Sequence, residues 1–97
     1  MKSNMKDVPR VEFSELFNIH RKALPFEIKE AFLDALNLFL VDQIHPALRN
    51  HPLHGKYAGY KSIDVTENYR AIFREVQTGE EKVFIFHKIG THKELYG

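Results

Sequence analysis

His92 and Tyr96 stand four residues apart near one end of the chain, with Lys88 and Lys93 beside them. Thr91 and Glu94 form a T-x-x-E pattern, in which a hydroxyl and a carboxylate satisfy free N–H groups at a helix start. A turn beginning there carries an imidazole and a phenol on one side. It follows Gly90, at the end of a strand read over residues 82–89. A terminal turn whose aromatic only packs on the sheet has the same spacing. A second group lies between Arg49 and Lys61, where Arg49, His51, His54, Lys56 and Lys61 occur without a single acid. Such a basic, histidine-rich segment suits a phosphate, and equally a solvated loop.

These residue types suit RNA cleavage without a metal. A base must take the proton of a 2′-hydroxyl, an acid must protonate the 5′-oxygen, and cations must stabilise charge on phosphorus. Imidazole, with an ordinary pKa of ~6.5, serves either proton role near neutrality. Arginine supplies a planar fork for phosphate oxygens, and tyrosine can stack on a base or orient the phosphate.

Positioning them falls to the elements between. Residues 9–13 alternate as a short first strand. Ser14 suits a helix N-cap, with Leu16, Phe17, His20, Ala23 and Leu24 at helical spacing until Pro25. Pro25 suits the first turn of a second helix. There Ile28, Ala31, Phe32, Ala35, Leu36, Phe39 and Leu40 form one apolar face, widened by Leu33, Leu38 and Val41. Residues 43–58 read as a loop. Residues 59–66 and 69–76 read as two strands joined by a tight turn, pairing Asp64 with Arg70 and Ile63 with Ala71. Ile63, Val65, Ala71 and Phe73 then face the helices, and Asp64, Arg70 and Arg74 the open side. The predicted architecture is α+β: a short strand, two helices, then a three-stranded antiparallel meander (β-α-α-β-β-β) with a C-terminal helical turn, the second sheet face being free.

Ninety-seven residues, 43% of them hydrophobic and eight of them Phe, suit one domain over 1–97. Residues 1–8 are expected to be flexible. The net charge of +1 does not by itself mark a nucleic-acid binder, but residues 1–43 carry six Lys/Arg against seven Asp/Glu and residues 44–97 eight against six. Without cysteine there is no disulfide or thiolate site. His51 and His54, three apart, lack further ligands, so neither metal nor cofactor is expected. No stretch reads as a leader or a membrane span, and a cytoplasmic protein is expected. His20 and His87 read as structural, and Tyr60 and Tyr69 as core.

Four motifs occur in order: His51-Pro52-Leu53-x-Gly55, Gly59-Tyr60-Lys61-Ser62-Ile63-Asp64-Val65, Tyr69-Arg70-Ala71-Ile72-Phe73 and Gly90-Thr91-His92-x-x-Leu95-Tyr96. Over residues 11–97 the chain resembles the RelE/ParE superfamily of toxins, and its YafQ-type branch in particular. That resemblance implies an mRNA interferase acting in the ribosomal A site and silenced by a cognate antitoxin protein. It makes His51, His92 and Tyr96 active-site residues and Arg70 a phosphate contact. Two positions depart from the YafQ pattern: Asp64 replaces a strand histidine and Asn68 an aspartate. The expected roles are His92 as acid, His51 as base or phosphate ligand, and Asp64 orienting Arg70 or a histidine. His54, Lys56, Lys61, Arg74, Lys88 and Lys93 are candidate RNA or phosphate contacts. Two alternatives stand beside this one: a ParE-like inhibitor of DNA gyrase, and a catalytically weakened relative that only binds antitoxin.

Overall fold

The computed structural model describes residues 9–97, so the flexible start expected for residues 1–8 lies outside the described residues. In chain order the elements are β1 (Arg10–Phe13), α1 (Glu15–Lys22), α2 (Phe26–Val41), β2 (His51–Pro52), β3 (Lys61–Asp64), β4 (Tyr69–Thr78), β5 (Glu81–Thr91) and α3 (His92–Tyr96). The sheet order is β1-β5-β4-β3-β2. β1 runs parallel to β5, and every other pair is antiparallel.

The predicted meander is thus the middle of a wider, mixed sheet. β3 and β4 pair as expected, Asp64 with Arg70 and Ile63 with Ala71. The stretch 43–58 is more ordered than a loop: it holds two 3-10 turns, Pro46–Leu48 and Gly55–Tyr57, around β2. β2 escapes a pattern reading because two residues, one of them proline, carry no periodicity. Proline is tolerated there because β2 is an edge strand.

Ser14 sets the start of α1. Its Oγ accepts from the Phe17 N–H at 3.0 Å and its hydroxyl donates to the His87 carbonyl at 3.0 Å, which ties the cap to β5. Pro25 sits at the N-cap of α2, one residue before the first turn expected for it. Phe32, Ala35 and Phe39 are buried, whereas Leu33 and Val41, expected to widen the buried stripe, are exposed. A helix laid on one sheet face buries one stripe, and those two residues lie off it.

Seven of the eight phenylalanines build the helix-side core. Phe17, Phe32, Phe39, Phe73, Phe84 and Phe86 are buried together with Ile63 and Ala71, and Phe13 packs against them. A bulge in β5 shapes this layer: Ile72 pairs with Lys88 but Phe73 with Phe86, leaving His87 as the extra residue. Phe86 and Ile89, an odd number apart, can therefore both face the helices.

The other face is not free as expected. Strand alternation turns Ile72 toward it, and a buried cluster of Tyr57, Ile72 and Leu95 forms there, flanked by Leu53, Tyr60 and Tyr96. An apolar residue in mid-sheet needs cover, and α3 with the Gly55–Tyr57 turn supplies it. That cover gives the site its walls.

Candidate active site

On this second face β3 presents Ser62 and Asp64, and β4 presents Arg70. His51 arrives from the β2 edge, and His92 and Tyr96 from α3 after β5. All six line one cleft of about 340 Å³, together with Arg49 and Leu53. A larger cavity of about 410 Å³ lies among α1, α3 and β5, lined by His20, Lys88 and Glu94 among mostly apolar residues. It contains none of the predicted proton-transfer residues, which line the smaller cleft instead.

Asp64 and Arg70 form its charged floor. The Arg70 Nε lies 3.0 Å from Asp64 Oδ1, and both side chains are more than four-fifths buried. One terminal guanidinium nitrogen donates to the carbonyls of Thr66 and Glu67 at 3.0 and 2.8 Å. Anchored at both places, Arg70 holds one orientation and keeps its charge beside the cleft. Arg49 approaches the other Asp64 oxygen at 3.4 Å from an exposed position. Two guanidinium groups against one carboxylate leave the floor net positive.

The two histidines are positioned differently. His51 Nδ1 lies 2.7 Å from the Arg49 carbonyl, and a carbonyl can only accept. Nδ1 therefore carries the proton, which leaves Nε2 of the neutral ring with a free lone pair. Arg49 reaches this geometry in the left-handed region, at φ 48°, closing the Pro46–Leu48 turn. His92 opens α3. Thr91 Oγ accepts from the Glu94 N–H at 3.1 Å while Glu94 accepts from the Thr91 N–H at 2.8 Å, so the expected capping box forms. The His92 N–H also donates to the Asn68 carbonyl at 3.0 Å, joining α3 to the β3–β4 turn. The His92 and Tyr96 rings meet with centroids 4.7 Å apart, and Tyr96 lies edge-on to Tyr57 at 5.8 Å.

The six candidate phosphate contacts do not line the cleft. Lys61 shares the helix-side parity of Ile63 and pairs with Glu75 at 3.9 Å. Lys88 donates to the Tyr57 hydroxyl at 3.0 Å and lines the larger cavity instead. Lys56 sits 5.5 Å from the centroid of the Tyr57 ring. His54 and Lys93 are exposed on the flanking turns, and Arg74 is exposed further along β4. The positive charge of the cleft comes from Arg70 and from Arg49, which the motif reading passed over. The signal for Arg49 was its place two residues before His51 in the acid-free segment.

His87 is half-buried, and its ring lies tilted against that of Tyr60 with centroids 5.2 Å apart. Burial, then Lys88, Arg74 and His20, hold its pKa below the ordinary histidine value. Among the described residues no three His, Asp or Glu side chains gather as a metal site. No helix among them is long and apolar enough to cross a membrane.

No protein-family model and no curated protein matches the chain. Solved structures do. The chain is similar to a YoeB/ParE toxin from Agrobacterium tumefaciens at 17% identity and TM-score 0.69, over 86% of this chain and 98% of that one. It is similar to YafQ from E. coli strain BL21(DE3) at 20% identity and TM-score 0.66, over 92% and 99% of the two chains. A chain of the E. coli DinJ–YafQ toxin–antitoxin complex matches at 21% identity and TM-score 0.60, over 92% and 98%. The fold is that of the RelE/ParE-type toxins. Within that class it is shared with YafQ as well as with YoeB/ParE.

Proposed function

We propose that the protein is the toxin of a type II toxin–antitoxin pair and acts as a ribosome-dependent, metal-independent endoribonuclease on mRNA. The observation that carries this reading is the convergence of His51, Asp64, Arg70, His92 and Tyr96 on one cleft from four separate elements. In the proposed reaction His51 Nε2 takes the proton of a 2′-hydroxyl. The 2′-oxygen attacks phosphorus, and the bond to the 5′-oxygen breaks. His92 protonates that leaving oxygen, giving a 2′,3′-cyclic phosphate and a 5′-hydroxyl end. Arg70, held by Asp64, stabilises the charge gathered on the phosphoryl oxygens. Tyr96, whose ring lies tilted against that of His92, fixes the acid and offers a ring to a base. Asp64 departs from the YafQ pattern at a position where it can orient the arginine rather than transfer a proton.

The toxin–antitoxin pairing of the E. coli relative supports a protein antitoxin for this chain as well. Such a partner, disordered when free, would fold over the basic cleft or displace α3.

Primer-extension mapping of a translated mRNA, incubated with the protein and ribosomes, tests the reading. Cuts are expected only with ribosomes present, and are expected to disappear with His92→Ala. Full cleavage by His92→Ala removes the acid assignment. No cuts in any reaction would move the reading to ParE-like gyrase inhibition, checked by loss of supercoiling, or to a fold that only binds antitoxin.

A further inference from the structure

Ser62 is fully buried, yet it lines the cleft, and its Oγ has no hydrogen-bond partner among the described residues. Leaving a buried hydroxyl unpaired is unfavourable in a free protein, whereas alanine would fill the position without that penalty. The position is central. Ser62 pairs with His51 on β2 and with Ile72 on β4, and stands two residues from Asp64 on the same face. A group held between His51 and the Arg70–Asp64 pair therefore lies over this residue.

We propose that the Ser62 hydroxyl is a substrate contact, donating a hydrogen bond to a phosphoryl oxygen held in the cleft. The inference deepens the nuclease reading and rests on it for the identity of the substrate. Hydroxyl donation suits an anion because Ser Oγ–H can turn toward it without moving the strand. It also accounts for a polar residue at a fully buried position between β2 and β4. The contact is made only with ligand present, so Ser62 should help binding without helping folding.

The test uses inorganic phosphate as the probe, followed through the imidazole NMR signals of His51 and His92 in wild type, Ser62→Ala and Ser62→Cys. Thermal unfolding and ribosome-programmed mRNA cleavage are measured on the same proteins. Expected are about tenfold weaker phosphate binding in Ser62→Ala, a smaller loss in Ser62→Cys, and a melting temperature for Ser62→Ala no lower than wild type. Cleavage by Ser62→Ala should fall at least as much as binding. Equal phosphate affinity in wild type and Ser62→Ala overturns the proposal, as does wild type that does not bind phosphate. A clear drop in melting temperature also overturns it, because the hydroxyl would then be structural. If the affinity difference holds while wild type cuts no mRNA, the nuclease reading fails and the anion contact stands. If wild type cuts and Ser62→Ala cuts and binds equally well, the contact fails and the nuclease reading stands.

Discussion

At the scale of single residues, the two arginines on Asp64 illustrate how burial decides what an ion pair contributes. Arg70 and Asp64 are both mostly buried, at 18% and 17% side-chain exposure, while Arg49 is 74% exposed. Removing Asp64 leaves a desolvated guanidinium facing Arg49, whereas removing Arg49 frees a screened surface contact. Asp64→Ala is therefore expected to lower the unfolding free energy by about 2 kcal/mol, and Arg49→Ala by less than about 0.5 kcal/mol, read from urea denaturation. Equal effects would mean that the pairs are equally solvated. His87 gives a separate pH dependence. Its folded pKa is lowered, so between that value and the unfolded ~6.5 the unfolded chain binds more protons. Stability should therefore rise with pH through this window, reach its full value above it, and be lost as pH falls through the folded pKa. In His87→Gln the rise between mildly acidic and neutral pH should flatten, as followed by denaturation midpoints.

At the scale of elements, α3 is too short to form alone, and its five residues depend on the cap and on Leu95. Gly90 belongs to the same device: a Cβ there would come within 2.9 Å of the Glu94 carboxylate oxygen that caps the turn. Thr91→Ala is expected to cost about 1 kcal/mol of stability. Its larger effect should be on mRNA cleavage, since His92 and Tyr96 lose their fixed turn; a cleavage loss no greater than that of an exposed control substitution would sink this view. The capping box, the Ser14 cap and the β3–β4 register were legible in the sequence because each is local, set by residues within a few positions. β1 pairing in parallel with β5, and β2 beside β3, were not legible, because long-range pairing and a two-residue strand leave no periodic mark. The same limit governs the site. His51, Asp64, Arg70, His92 and Tyr96 were readable as residue types, but their sharing one cleft depends on β2 and on α3 folding back. Lys61 could have been excluded by its parity with Ile63, whereas only three-dimensional packing draws Lys88 onto Tyr57.

For the whole molecule, the sheet separates the main core from the candidate cleft. The phenylalanine-rich core under the helices joins β1, β3, β4 and β5 to α1 and α2, and contains none of the cleft-lining residues. The opposite cluster of Tyr57, Ile72 and Leu95 is small and carries the walls of the cleft. Units with fewer buried contacts open more easily than the global fold, and binding surfaces are commonly drawn from them. Native-state hydrogen exchange should therefore find the amides of α3 and of the Gly55–Tyr57 turn exchanging through a lower-energy opening than those in the middle of β4 and β5. Leu95, 4% exposed, is the residue that closes this unit. Leu95→Ala removes buried methyl groups and should lower the opening energy of α3 by about 2–3 kcal/mol. The amides of β4 and β5 should keep their slow exchange as long as α3 opens on its own. A uniform drop at every amide would mean that the two faces unfold as one unit. A drop confined to α3 would make the arm bearing His92 and Tyr96 a separately opening part, which a neutralising partner could displace without unfolding the sheet.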